Sequence, residues 1–332
     1  MAVSETGVLR VCRLARFGLT THDANRLAAF YERAFGGKVV SRELRSGSAF
    51  QGLAYVRGGA QCVTVAIGDQ LIELSEFDQP GRPYPHDLSP YDVHFQHFAI
   101  VVADMKHALE QLSRIDGWTS ISTAGPQRLP HRSGDVTAFK FRDPEGHPLE
   151  LLAFAAGTTP AHWCDRSQKE LFLGIDHSAM SIADVQRSVA FYENLGLTTI
   201  ARTLNHGLEQ QRLDGVVDPY VDVIALAPPA TTPHVELLCY RSHSRPQNPA
   251  LRRNDVAATR LIFQAASRLG TSSATGDEYI IQDPDGHHLQ LAVTSGSGDH
   301  EHSQPALRPQ PQAPEGPVFA KQPLRFFRVN SS

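Results

Sequence analysis

Apolar and polar residues alternate along VTVAIGDQLIELSEF, VTAFKFRDPEGHPLELLAF and VDVIALAPPATTPHVELLCY, the period of half-buried strands. Each run is broken once by turn residues, GD, DPEG or PPATTP, so each reads as a hairpin. Upstream of every hairpin the period changes. In RFGLTTHDANRLAAFYERAFGG from Arg16, HFAIVVADMKHALEQLSRIDG from His97 and HSAMSIADVQRSVAFYENLGL from His177, an apolar run reaches Asp23, Asp104 or Asp184. Beyond each Asp the apolar residues fall three and four apart: Leu27, Phe30, Ala34; Ala108, Leu109, Leu112; Val185, Val189, Tyr192. The Asp side chains are predicted N-caps that accept from free main-chain N–H groups, and a Gly closes each helix. The repeating unit is therefore βαβββ.

A fourth copy begins with TRLIFQAASRL at Thr259 and ends with YIIQDPDGHHLQLAV, and the four starts lie at 16, 97, 177 and 259. The last copy is too short for the whole unit and is predicted to lack most of its helix or a strand. The fold class expected is α+β, with repeated units pairing into two cupped eight-stranded sheets, the fourth unit truncated. The expected division is an N-terminal segment 1–9, units one and two in 10–160, and units three and four in 170–295. Residues 296–332, which include the stretch SGDHEHSQPALRPQPQAPEGP, are rich in Pro and poor in apolar residues, which predicts a disordered tail. The DHEH within it is read as solvated tail.

Composition narrows the partners. With 332 residues, about two domains are expected. A net charge of −4 with scattered Lys and Arg argues against a nucleic-acid partner, and no run of 18 apolar residues argues for a membrane one. Cys12, Cys62, Cys164 and Cys239 are far apart, which reads as reduced thiols in a cytoplasmic protein, monomer or homodimer. No nucleophile elbow, phosphate loop or dinucleotide fingerprint is present. A small molecule is the expected partner.

Strand alternation then places the chemistry. If Phe98, Ile100 and Val102 pack under the helix, His97, Ala99 and Val101 take the other face; likewise Leu149 and Leu151 leave Glu150 opposite. Copy three repeats this with His177 and Glu236. A carboxylate on an apolar face is costly unless compensated, and a divalent cation compensates two of them. His97, Glu150, His177 and Glu236 thus form a candidate metal site, and mixed N/O ligation suits Zn, Ni, Co, Mn or Fe. His147, His287 and His288 are expected to be exposed turn residues.

The His-led strand, the FY-ended helix and the closing DPxGxxLEL resemble the vicinal oxygen chelate superfamily, which includes glyoxalase I, bleomycin resistance proteins and extradiol dioxygenases. The likeness spans residues 10–295. It implies two units closing around one metal with ligands from their first and last strands: His97 and Glu150 from copy two, His177 and Glu236 from copy three. Copy one offers Arg16 and Glu73 at those positions, and copy four Thr259 and Gln290. Two pairings are then open. If the middle units join, the first four residues share one cavity; if units pair in order, they do not. Resemblance to glyoxalase I implies a metal-dependent lyase or isomerase that moves a proton through a metal-stabilised enediolate on a small vicinal-oxygen substrate, with Glu150 or Glu236 as catalytic base. The alternatives are an extradiol-type Fe(II) dioxygenase using His97, His177 and one Glu, and a non-catalytic small-molecule binding or resistance protein. The segments DQPGRPYPHDLSPYDVHFQ and YRSHSRPQNPALRRND are expected to rim the cavity, with Arg245, Arg252 and Arg253 as candidate anion contacts.

Overall fold

The structure, a computed structural model, describes residues 9–54, 56–241, 250–267 and 278–293. The DHEH motif, the tail and Arg245 lie outside the described residues. Each predicted N-cap is realised: Asp23, Asp104 and Asp184 accept from the N–H groups of Arg26, His107 and Arg187 at the starts of helices Ala24–Phe35, Met105–Leu112 and Val185–Leu195. Gly36 and Gly196 end the first and third helices at φ 65° and 106°, a conformation that only Gly adopts without strain. The second helix ends sooner, at Ser113, which keeps right-handed geometry.

Two mixed sheets result, of seven and nine strands rather than eight each. In the nine-stranded sheet the opening strands of units two and three, Gln96–Val102 and Phe172–Ser181, run antiparallel at the centre. Each is flanked by its own unit's closing strand in parallel, Pro148–Phe154 and His234–Tyr240. In the seven-stranded sheet the opening strands of units one and four, Leu9–Thr21 and Arg260–Ser267, pair in the same way. The middle units therefore share one sheet and the outer units the other, and each sheet draws on both stretches 10–160 and 170–295. Unit four contributes three described strands, Arg260–Ser267, Glu278–Gln282 and His288–Val293, which accounts for the smaller sheet.

One hydrophobic core lies between the sheets and takes in the helices of units one, two and three. Phe98, Ile100, Val102, Leu149 and Leu151 all enter it, as the alternation predicts, and Phe17 meets Phe98 with ring centroids 5.3 Å apart. The two concave faces thus point away from the shared core.

The repeated DPxGH phrase ties consecutive units together. The Asp143 carboxylate accepts from the N–H groups of Glu145 and His147 and from the Tyr31 hydroxyl of unit one. Nε2 of His147 lies 2.9 Å from the Thr20 carbonyl. Asp283 and His287 repeat this toward unit three, through the Tyr192 hydroxyl and the Ser181 carbonyl. These histidines are buried, as is His288, so the expectation of exposed turn residues fails. The turn closes against a neighbouring unit rather than solvent, and the ring nitrogens satisfy carbonyls that this contact would strand.

The described parts of the two segments expected to rim the cavity reach it only through Tyr240 and otherwise pack on each other. Arg82 pairs with Asp255, and Tyr84, Leu88, Phe95, Val256 and Ala257 form a small core of their own. All four cysteines are free thiols, and no described helix is long and apolar enough to cross a membrane.

Candidate metal centre

The concave face of the nine-stranded sheet holds a cavity of about 250 Å³. His97, Glu150, His177 and Glu236 all line it. Pairing of the two central strands places Ala99 opposite His177 and His97 opposite Ala179, so the imidazoles stand beside alanines small enough to leave them room. The parallel ladders align Ala99 with Glu150 and Ala179 with Glu236, which brings each carboxylate next to the histidine of its own unit.

The four residues are not equally close. Nε2 of His97 is 2.8 Å from Oε2 of Glu150, and Nε2 of His177 is 4.0 Å from the same oxygen. Ligand atoms of these three lie within 4.8 Å of one another. Glu236 stands to one side, 3.6 Å from His177 and 3.6 Å from His234. Nδ1 of His97 is buried and has no hydrogen-bond partner among the described residues, where the ring is held through Nε2. Two imidazole nitrogens and two carboxylates on an apolar-walled face fit a divalent cation of mixed N/O preference.

Sequence reasoning missed the residues around this group. A β-bulge between Ile175 and His177 turns Asp176 to the cavity side, where alternation alone would have sent it into the core. Its Oδ2 lies 3.1 Å from Nδ1 of His177 and 3.7 Å from Nδ1 of His234. That contact fixes which His177 nitrogen faces Glu150, the orienting role that carboxylates play behind histidine ligands. Lys140 sits directly across the ladder from Glu150, and its ammonium is 2.7 Å from Oδ1 of Asp214. Asp214 also accepts from Tyr240 and Gln210, both on the cavity wall. The signal for Lys140 was in VTAFKFRD, where it occupies the same strand face as the Glu150 position. Asp214 carried no signal: its short helix, Leu208–Asp214, has a counterpart in unit one, Ser48–Ala54, but no acidic residue stands in that one.

The charges interlock. Burial alone would raise Glu150, but the His97 hydrogen bond and the Lys140 ammonium outweigh it and hold the carboxyl below its usual range. Burial, then Lys140, lowers His97. For His177 burial also pulls downward, yet Glu236 and Asp176 overcome it and carry the imidazole up to about 9. Burial would raise Glu236, but His177 and His234 bring it down to about 2.

The outer sheet presents different residues at the matching places. Glu73 aligns with Gly18 and Gln290 with Ile262, as Glu150 does with Ala99. His97 precedes Ala99 by two residues, and the same offset on the outer opening strands falls on Arg16 in unit one and Arg260 in unit four. The sequence alignment on Thr259 is therefore off by one: the ladder puts Arg260 at the histidine position, and Thr259 precedes the strand. Two arginines and one amide replace two histidines and one carboxylate. Arg253 also lines this outer space, away from the inner cavity, while Arg252 caps the Asp255 turn through its main-chain N–H.

The sequence profile of the Glyoxalase/Bleomycin resistance protein/Dioxygenase superfamily matches residues 13–151 and 174–291. The fold is similar to that of glyoxalase I from Zea mays, at 17% identity and a TM-score of 0.51, covering 86% of this chain and 92% of that one. It is also similar to a candidate dioxygenase from Bacillus subtilis, at 10% identity and a TM-score of 0.53, covering 87% of each chain. At such identities the likeness concerns the fold. No curated protein sequence matches the chain.

Proposed function

We propose that this chain, which belongs to the Glyoxalase/Bleomycin resistance protein/Dioxygenase superfamily, is a metal-dependent lyase or isomerase acting on a small substrate with two vicinal oxygens. The observation that carries the reading is the His97, Glu150 and His177 group, gathered within 4.8 Å at the cavity floor with Glu236 beside it. These four residues would hold a divalent cation. Such a cation supplies a Lewis acid for the substrate oxygens.

The chain's own residues supply the rest. Glu150 is tied to His97 at 2.8 Å and faces Lys140, so it is an anchor. Among the described residues Glu236 is held by ion pairs of 3.6 Å to His177 and His234 and has a more exposed side chain than Glu150, so it is the freer carboxylate. It takes the proton from the hydroxyl-bearing carbon and returns it to the neighbouring carbonyl carbon, as base and then acid, while the hydroxyl proton passes to the former carbonyl oxygen. Leu129, Val136, Leu152 and Leu238 wall the cavity around that transfer.

The test is solvent deuterium wash-in at the hydroxyl-bearing carbon of α-hydroxycarbonyl compounds and their thiol conjugates, with metal content measured alongside. Wild type is expected to carry stoichiometric metal and exchange the proton. Glu236→Gln should retain most metal but lose exchange, whereas Glu150→Gln should lose metal. A protein with no stoichiometric metal, whose two variants lose nothing, would sink the enzymatic reading and leave a binding protein.

A second reading rests on the same group. Two histidines and one carboxylate are the ligand set of non-haem Fe(II) oxygenases. Iron as the bound metal, with oxygen uptake on a catechol and no deuterium wash-in, would select it.

A further inference from the structure

The outer sheet carries a second site of opposite chemistry. Arg260, at the histidine position, is 5% exposed. Among the described residues its guanidinium meets only neutral oxygens, the Thr20 and Ser75 hydroxyls at 2.9 and 3.0 Å and the Arg253 carbonyl at 3.4 Å. A buried guanidinium without a carboxylate is costly. The carboxylate that lines the same space, Glu73, is already engaged by Arg16 at 3.0 Å and by Arg45 at 3.7 Å. Arg45 in turn reaches Glu278 at 3.2 Å. Among the described residues Arg16, Arg45 and Arg260 thus share two carboxylates, Glu73 and Glu278, and one positive charge is left over.

A second, independent feature points the same way. Gln290 is 4% exposed, lines this space beside Arg45, Arg253 and Arg260, and its side-chain amide makes no hydrogen bond among the described residues. Gly18, opposite Arg260 in the ladder, leaves the guanidinium its room: a Cβ there would stand 3.1 Å from Nε. Arginine has no lone pair to give a metal, but its planar fork of donors matches an oxyanion. Phe50 and Phe77, stacked with centroids 6.2 Å apart, supply an apolar wall under Arg45 and Arg260. The space among these groups is about 20 Å³, room for one or two water-sized atoms such as the oxygens of an anionic group.

We propose that the outer cavity binds the carboxylate or phosphate group of a small molecule between Arg260, Arg45 and the Gln290 amide. The site is separate from the inner cavity, on the opposite side of the shared core, and stands whatever the inner cavity does.

The experiment is titration calorimetry of the full chain with inorganic phosphate and, separately, with benzoate, at ionic strength held constant with sodium chloride. At least one anion should bind saturably. Arg45→Gln and Gln290→Glu, the latter placing a repelling carboxylate, should each weaken it by roughly tenfold or more, the loss of about one charged hydrogen bond. Arg260→Gln should abolish binding; if that variant does not fold, the other two decide. Metal uptake by the inner cavity should be the same in every folded variant. Binding of phosphate alone identifies a phosphate ligand, and of benzoate alone a carboxylate. No saturable binding of either anion, or equal binding by wild type, Arg45→Gln and Gln290→Glu, overturns the proposal.

Discussion

Nε2 of His147 lies 2.9 Å from the main-chain oxygen of Thr20, across the boundary between two repeat units. Its Nδ1 lies 2.8 Å from Asp143, so both ring nitrogens face acceptors and only an imidazolium can donate to both. His147→Ala should therefore cost about 2 kcal/mol or more, as expected for hydrogen bonds to a charged group. His287→Ala, which loses the matching bond to Ser181, should cost about 1 kcal/mol. Urea denaturation with an unchanged slope checks both, and a midpoint unmoved by His147→Ala would remove the clasp from the account.

His147 and His288 should respond to pH in opposite senses. Burial would lower His147, but Asp143 outweighs it and raises the imidazole above its ordinary value. Its contribution is complete below about 6.5 and is lost as pH rises through the raised folded value. His288 is lowered to about 3 by burial and by Arg253 and Arg260, and its neutral Nε2 accepts from Gln282. Its contribution is complete above about 6.5 and fades as pH falls toward the folded value. The stability gap between wild type and His147→Gln should therefore close toward alkaline pH, and that between wild type and His288→Gln toward acidic pH. Parallel profiles would contradict the assignment.

Asp176 holds His177 through Nδ1 and touches no other predicted ligand except through His234. Asp176→Asn should lower metal affinity by roughly 10- to 100-fold, the usual cost of removing an orienting carboxylate. Chelator competition reads this directly, and unchanged affinity would reduce Asp176 to a structural group.

Lys140 and Asp214 form a buried pair at 2.7 Å. Lys140→Met should destabilise by about 3 to 5 kcal/mol because it leaves Asp214 buried without its countercharge, held only by Tyr240 and Gln210 among the described residues. Adding Asp214→Asn should recover a large part of that loss. A double variant no more stable than the single one would show that the pair is not the source.

Gly18→Ala places a methyl 3.1 Å from Nε of Arg260. Overpacking of this kind costs about 1 to 3 kcal/mol. In an Arg260→Ala background the cost should largely vanish, and a double-mutant cycle measures the coupling. Additive effects would mean that Gly18 is there for another reason.

The sequence by itself determined the units. The Asp N-caps, the turn phrases and the alternation that sends Phe98 and Leu149 inward are decisions made within about a dozen neighbouring residues, and local pattern records them. It also put His97, Glu150, His177 and Glu236 on one kind of face, because side-chain direction along a strand is a matter of parity. What parity cannot carry is which strands become neighbours. Only the tertiary structure decided that unit two pairs with unit three and unit one with unit four, since that depends on packing three helices in a single core. The same limit explains the misplaced Thr259. A register differs from its neighbour by one residue, which reverses every side chain, and only the ladder with the closing strand shows that Arg260 holds the histidine position. Asp176 was hidden for a related reason: one bulge suspends the alternation at the point where the site needs a second side chain on the same face.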